Sequence, residues 1–335
     1  MKIDKIEIKE YGKKFIDRTN LGSQKFESRF GWYIKLYSGN LFGVGEAAPI
    51  PGISSESHEQ AGYALNGFKV ALEGLGYNIN LEELLLLSEV HGFEVPSVQF
   101  AADCAIYDLF SKSNKQDLAE YLNPNYLKSI NINSIYSDRA RIDEINTQFL
   151  KIKINELNIF SIKERLDKII SKYPSRTKLR LDFNESLDLV RAIRICKELK
   201  PYNIDYIEQP LNREDINDTH DLRMSVNIPI ALDEAVTNYK SVKNIVEEGA
   251  ADVIVIKPML TGNFKAIKKI IDYCRSEGVR TVITSSFETS IAQSHIVNLI
   301  SALEIKEHCG IYNIKLFKDD FLESINKDQI SIPIG

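Results

Sequence analysis

Four short apolar runs in the middle of the chain each close on a group able to do acid–base or ligand chemistry. They are Leu179-Arg180-Leu181-Asp182-Phe183-Asn184, Tyr206-Ile207-Glu208-Gln209-Pro210, Ile230-Ala231-Leu232-Asp233-Glu234 and Val253-Ile254-Val255-Ile256-Lys257-Pro258. Asp182, Glu208, Asp233 and Lys257 follow one another at intervals of 26, 25 and 24 residues, which suits one strand, one helix and two short loops. Each therefore holds the same place in a repeating βα unit. A strand buried on both faces is continuously apolar, and an ionised group there is costly. Three acids converging at neighbouring strand ends repel one another unless positive charge sits between them, and a divalent cation is the simplest source. Oxygen ligands without a histidine point to Mg2+, with Mn2+ as a substitute, rather than to zinc.

Taken singly, these residues have plainer readings. Asp182 and Asn184, two apart, share one face of a strand while Leu181 and Phe183 face the helices, yet Asp-x-Asn is also a common turn. Glu208 and Asp233 can equally open capped loops. Their common phase in the repeat is what marks Asp182, Glu208 and Asp233 as ligands, with Asn184 and Glu234 behind them.

Lysines complete the set. Lys151-Ile152-Lys153-Ile154 alternates, which alone reads as an exposed edge strand; a barrel strand has no edge, and both ammonium groups would then be enclosed. Lys257 ends a wholly apolar strand, and partial desolvation beside other cations is expected to lower it toward neutrality and make it a usable base. Lysines on the second and sixth strands of a barrel of about eight strands face each other across its interior. A carboxylate chelated to the cation between them has an acidified α-proton, which one lysine removes to leave a stabilised enediolate.

The elements that must position these groups are legible in outline. At 335 residues, 44% hydrophobic and 27% charged, the chain can bury one large domain or two unequal ones. A net charge of −5 argues against nucleic acid, which needs a basic face. No apolar run reaches the length of a membrane span, and Met1-Lys2-Ile3-Asp4-Lys5 opens directly into a strand pattern, so the expected location is cytoplasmic. Cys104, Cys196, Cys274 and Cys309 lack metal or redox spacing and read as buried free thiols.

Before residue 120 the pattern is strands at 2–9 and 29–47, joined by a polar loop at 19–25, then three helical segments. The clearest starts at Pro96-Ser97, with the serine as cap and Val98, Ala101, Ala105 and Leu109 on one face. Strands followed by helices suggest a separate α+β unit. After 120, strands at 130–133, 149–154, 179–184, 206–210, 228–234, 253–258 and 282–287 alternate with helical faces. No Gly-x-Gly-x-x-Gly turn follows the first of them, so the pattern fits a barrel better than an open sheet.

In this order and spacing, Lys-Ile-Lys, Asp-Phe-Asn, Ile-Glu-Gln-Pro, Leu-Asp-Glu and Ile-Lys-Pro resemble the muconate lactonising enzyme subgroup of the enolase superfamily. Within it, the stretch from Gly45 to Ser54, the start of the helix at Pro96, and Thr284-Ser285-Ser286-Phe287-Glu288-Thr289-Ser290 are similar to the o-succinylbenzoate synthase family of menaquinone biosynthesis. The resemblance implies an α/β fold, a (β/α)7β modified TIM barrel over residues 121–311. It also implies an N-terminal α+β capping domain over 1–120, joined by part of the tail at about 312–335. It implies Mg2+ on Asp182, Glu208 and Asp233, and syn elimination of water from 2-succinyl-6-hydroxy-2,4-cyclohexadiene-1-carboxylate. Lys153 would take the α-proton and help the hydroxyl leave, Lys257 would stabilise the enediolate, and Lys151 would hold the carboxylate and tune Lys153. Ser285, Ser286, Gly52 and Ser54 would contact substrate, under loops 21–29 and 48–56 that close over it. For the two serines, helix capping is the competing reading.

Gln99 and Asp103 stand where arginine and glutamate are more usual in this family, and Ile50 and Ile53 replace a leucine and an aromatic residue. The expected partner is a small-molecule carboxylate, with no nucleic acid or membrane; a homo-oligomer is left open. Two other functions compete. An N-acylamino acid racemase or dipeptide epimerase would use Lys153 and Lys257 on the two faces of one α-carbon, although residues 310–314, Gly-Ile-Tyr-Asn-Ile, lack the acids that bind a dipeptide's ammonium in that family. A non-catalytic member would be free to lose a lysine or an acid, and none is missing.

Overall fold

A computed structural model describes residues 1–21, 24–75, 78–136, 147–311, 316–317 and 329–331, with backbone alone at 17–21, 24–26 and 329–331. Alternation of apolar residues along the first third folds it into an antiparallel sheet of β1 (Lys5–Leu21), β2 (Gln24–Ser38) and β3 (Leu41–Ala47). Ile6, Ile34 and Leu36 face helix α1 (His58–Leu75) and helix α3 (Pro96–Ser113) in one core. Helices α2 (Leu81–His91) and α4 (Leu118–Leu122) complete the unit.

The polar stretch 19–25, expected as a loop, is paired hairpin: Thr19 opposes Phe26, Asn20 opposes Lys25 and Leu21 opposes Gln24. Ladder bonds use backbone and ignore side-chain polarity, so composition misled there. Gly22 and Ser23 lie outside the described residues. The run 29–47, expected as one strand, is broken where Gly39 adopts φ +56. Ser97 does not cap α3: Val95 holds the cap position, Pro96 begins the helix, and the Ser97 N–H donates instead to Glu56 Oε1 at 2.9 Å.

Helix α3 lies unusually close on β3. A Cβ at Gly43 would stand 2.0 Å from the Ala105 carbonyl oxygen, and one at Gly45 would stand 1.9 Å from that of Ala101. Only glycine at both positions lets the backbones meet.

The second unit is a parallel sheet of seven strands in the order β11-β10-β9-β8-β7-β6-β5. From β5 these are Ser134–Ile135, Phe149–Lys153, Lys178–Asp182, Ile204–Glu208, Ile230–Leu232, Val253–Ile256 and Arg280–Ile283. It curls until Cys309 bridges Ile132 and Gly310 bridges Thr284, both in parallel sense, which closes the barrel through a very short eighth strand. Helices α5 (Ile159–Ile170), α6 (Leu189–Glu198), α7 (Ile216–Ser225), α8 (Tyr239–Glu247), α9 (Pro258–Thr261), α10 (Phe264–Ser276) and α11 (Ser290–Ala302) cover the outside. The connection between β5 and β6 runs through 137–146, outside the described residues.

Strand residues alternate between two cores. Leu150, Ile152, Leu179, Leu181, Phe183 and Ile207 pack on the helices, while Tyr206, Ala231, Val253, Val255 and Val282 fill the barrel interior. Near the end of the chain, Phe317 stacks on Phe15 of β1 with centroids 4.9 Å apart, and β12 (Gln329–Ser331) pairs antiparallel with β4 (Ser129–Asn131). The four cysteines are buried and free. Among the described residues no helix is long and apolar enough to cross a membrane.

Candidate active site

Strand β6 is not an edge: it pairs with β5 on one side and β7 on the other. Its isoleucine and leucine face the helices, so Lys151 and Lys153 are turned inward. Register places Lys153 opposite Asp182 and Asp182 opposite Glu208. These three side chains therefore stand in one row at the C-terminal ends of adjacent strands. Asp233 directly follows β9, and Lys257 follows β10 with Pro258 opening α9 behind it.

The three acids are nearly sealed from solvent, at 6%, 1% and 5% exposure for Asp182, Glu208 and Asp233. Lys151 Nζ lies 2.9 Å from Asp182 Oδ2 and 2.8 Å from Glu208 Oε1. Lys257 Nζ lies 2.6 Å from Asp233 Oδ2.

The electrostatics separate the lysines. Burial holds Lys153 below the ordinary lysine range; Asp182 and Glu234 oppose this, while Lys151 and Lys257 add to it. Burial alone would also lower Lys151, but Asp182, Glu208 and Asp233 together raise it well above that range. Lys257 behaves the same way, since Asp233 and Glu234 outweigh its burial. The expectation that Lys257 is lowered is thus corrected by the carboxylate in contact with it. Burial pushes Glu208 up, Asp182 and Asp233 push it further, and Lys151 opposes them. Asp233 is lowered despite burial because Lys257 and Lys151 face it, and it shares a hydrogen bond with Glu208.

The chain beyond these strand ends is held in unusual conformations. Asn184, Glu185 and Gln209 have φ of 42, 63 and 36, in the left-handed region that non-glycine residues seldom adopt. Strand β7 ends at Asp182, so Asn184 does not continue its face as expected. Its N–H donates to Asp182 Oδ1 at 3.1 Å, and its Nδ2 donates to Glu234 Oε1 at 3.0 Å. The Asp-x-Asn turn and the acid of the site are the same residues. Burial also raises Glu234, to about 7, with Asp233 adding to the effect. The amide of Gln209, given no role from sequence, accepts the N–H of Asp233 at 3.0 Å and of Ala235 at 3.2 Å. It fixes the backbone that carries Asp233.

Among the described residues no three histidine, cysteine, aspartate or glutamate side chains stand gathered as a ready ligand set; the acids are engaged by the ammonium groups of Lys151 and Lys257. The donor chemistry nonetheless fits a hard divalent cation. Three buried carboxylates face Lys151 and Lys257, burial and the neighbouring acids push Glu208 up to about 8, and Glu234 Oε2 and Asn184 Oδ1 are buried without a partner among the described residues.

At the barrel mouth, Gly52 at φ +75 and Ser54 build a turn: Ser54 Oγ accepts the N–H of Ile50 at 2.8 Å, and the Ser54 N–H donates to the Ile50 carbonyl at 2.9 Å. Ser285 and Ser286 are buried. Neither caps α11, whose cap position is Thr289. Ser285 Oγ is 3.4 Å from the Gly310 carbonyl, and Ser286 Oγ has no partner among the described residues. The loop expected over 21–29 is largely β1–β2 hairpin.

Below the row lies a charge that sequence reading passed over. Arg180, wholly buried, shares the inner face of β7 with Asp182. Its Nε donates to Asp205 Oδ2 at 2.9 Å, and its guanidinium lies 4.9 Å and 4.7 Å from the ring centres of Phe149 and Tyr206. The available signal was an arginine two residues before Asp182 in an otherwise apolar strand.

Comparison with known proteins follows the same lines. Residues 137–330 match the family described as Enolase C-terminal domain-like, and residues 16–109 match the MenC N-terminal domain. The chain is similar to an N-succinyl-L-Arg/Lys racemase of Bacillus cereus, 23% identical over 76% of this chain and 71% of that protein. It is similar also to an o-succinylbenzoate synthase of Citrobacter koseri, 25% identical over 89% of this chain and 87% of that protein. A dipeptide epimerase of Enterococcus faecalis, solved with Mg and the dipeptide L-Leu-L-Tyr, superposes with a TM-score of 0.82 at 22% identity, over 93% of this chain and 90% of that one.

Proposed function

Since this chain belongs to the Enolase C-terminal domain-like family of the enolase superfamily, we propose that it is an o-succinylbenzoate synthase. In this reading it dehydrates 2-succinyl-6-hydroxy-2,4-cyclohexadiene-1-carboxylate to 2-succinylbenzoate in menaquinone biosynthesis. The observation that carries the chemistry is the row of Lys153, Asp182 and Glu208, with Asp233 and Lys257 beyond it. The match of residues 16–109 to the MenC N-terminal domain supports the choice of substrate.

Mg2+ held by Asp182, Glu208 and Asp233 would supply positive charge beside the substrate carboxylate and so acidify the adjacent carbon. Lys151, anchored between Asp182 and Glu208, presents its ammonium to that carboxylate. Lys153, the lysine that burial holds low, takes the α-proton. Lys257, whose ammonium form the Asp233 carboxylate favours, faces the negative charge that develops. Lys153 then returns its proton to the leaving hydroxyl on the same face: the C–H and C–O bonds break, water departs, and the ring becomes aromatic. Ser285 and Ser286 contact the succinyl arm, under the turn built by Gly52 and Ser54. Asn184, Glu234 and Gln209 keep the acids in place.

An N-acylamino acid racemase is the second reading, favoured by two lysines available to a single carbon and by the similarity to the Bacillus cereus racemase. Lys257 would then deliver a proton on the opposite face. The test is aromatisation of the cyclohexadiene carboxylate followed by absorbance with Mg2+ present. Failure to aromatise it, with racemisation of N-succinyl amino acids, would move the assignment to the isomerase.

A further inference from the structure

Two buried residues of opposite charge on the capping sheet reach across to the barrel. Glu46 of β3, with no exposed surface, accepts the N–H of Thr289 at 3.0 Å, the Thr289 hydroxyl at 2.6 Å and the N–H of Ala292 at 3.2 Å. It thereby caps α11, for which Thr289 supplies no side-chain cap. Tyr11 donates its hydroxyl to the same carboxylate. Arg29 of β2, 3% exposed, donates to the carbonyls of Ala48, Pro49 and Phe287, the last two at 2.7 Å and 3.3 Å. The turn at 48–54 and the segment 284–289 are thus fastened to each other through side chains from neither.

The segment so fastened contains more than Ser286 Oγ as an orphan. Glu288 Oε1 is also buried without a partner among the described residues, as is Gln293 Oε1 in the first turn of α11 beyond it. Phe287, between Ser286 and Glu288, is held at φ +61. Unpaired buried polar atoms and a left-handed residue mark a segment whose shape is imposed by what it packs against rather than by its own bonds.

We propose that Arg29 and Glu46 are positioning residues for substrate specificity: they lock the 48–54 turn and the 284–289 segment into one wall that holds the distal arm of the substrate, leaving the proton chemistry to Lys153 and Lys257. This rests on the enediolate-forming reading above. Neither residue touches the reacting carbon; each acts through backbone at the mouth.

The test is Glu46→Gln and Arg29→Lys, assayed with whichever of the cyclohexadiene carboxylate or an N-succinyl amino acid the wild type turns over. Hydrogen exchange of the amides of 284–292 is followed in parallel. KM should rise about tenfold while kcat stays within about threefold, as expected when ground-state and transition-state binding weaken together; the amides should exchange faster. Thr289→Val, which deletes the hydroxyl contact to Glu46 and the longer one from the Tyr33 hydroxyl at 3.3 Å while leaving both N–H contacts to Glu46, should show a smaller shift of the same kind and serves if the charge variants fail to fold. A fall in kcat at unchanged KM, or no change in either, overturns the proposal. If the wild type turns over neither substrate, the functional reading falls and exchange alone decides: faster amides in Glu46→Gln uphold the clamp, and unchanged amides remove it.

Discussion

Lys257 Nζ rests 2.6 Å from Asp233 Oδ2, and in the proposed mechanism this contact is what gives the two lysines different roles. Burial alone lowers a lysine; Asp233 and Glu234 raise Lys257 against it, while Lys153 is held low. Lys257→Met should therefore remove a charge rather than a base. We expect kcat for aromatisation to fall about 10²–10³-fold with KM little changed, measured by steady-state kinetics. A larger change in KM than in kcat would assign Lys257 to substrate binding.

The proposed Mg2+ site is the buried group of Asp182, Glu208 and Asp233. Chelation should abolish turnover and Mg2+ should restore it. Mg2+ at about 100 times its dissociation constant should stabilise the wild type by about 2.7 kcal/mol, read as a rise in Tm that Glu208→Gln loses. Equal Tm shifts in both proteins would place the ion elsewhere.

Asp103 of α3 gives a pH prediction away from the site. Burial raises it to about 7, although it accepts the Phe264 N–H at 3.0 Å at the start of α10 and the Ser88 hydroxyl at 3.2 Å. Its folded value exceeds its unfolded one, so the native state holds the proton more tightly. Its contribution is complete below the unfolded value, near 4, and is lost as pH rises through about 7. Asp103→Asn removes this dependence. The difference in unfolding free energy, wild type minus variant, should fall by on the order of a few kcal/mol from pH 4 to pH 8, measured in urea.

Arg180 is buried between Phe149 and Tyr206 and paired with Asp205. Arg180→Leu strands part of that pairing, although Arg280 also reaches Asp205 at 3.0 Å. A loss of about 3 kcal/mol in stability is expected, and adding Asp205→Asn should restore part of it. Additive losses in the double variant would show that the pair is not coupled.

The parts of the site visible in the sequence are those that repeat. Asp182, Glu208, Asp233 and Lys257 recur because each stands at the strand end of one βα unit, and Lys151 and Lys153 alternate because a strand alternates. The parts that were hidden act through backbone atoms far away in the chain. Glu46 reaches Thr289, Arg29 reaches Phe287 and Asp103 reaches Phe264, and no local pattern marks an acid as the cap of another domain's helix. Gln209 was in view, but its role depends on a left-handed backbone that only the fold reveals. The hairpin at 19–26 was misread because strand pairing there owes little to side chains.

The proposed chemistry stands on Lys153 removing a proton from the carbon beside a carboxylate. Its most direct test is solvent exchange in D₂O with Mg2+ and the cyclohexadiene carboxylate or an N-succinyl amino acid, comparing wild type with Lys153→Ala by mass spectrometry. Aromatisation or deuterium incorporation is expected in the wild type, reduced about 10²–10⁴-fold in the variant. Turnover in Lys153→Ala at the wild-type rate would contradict it.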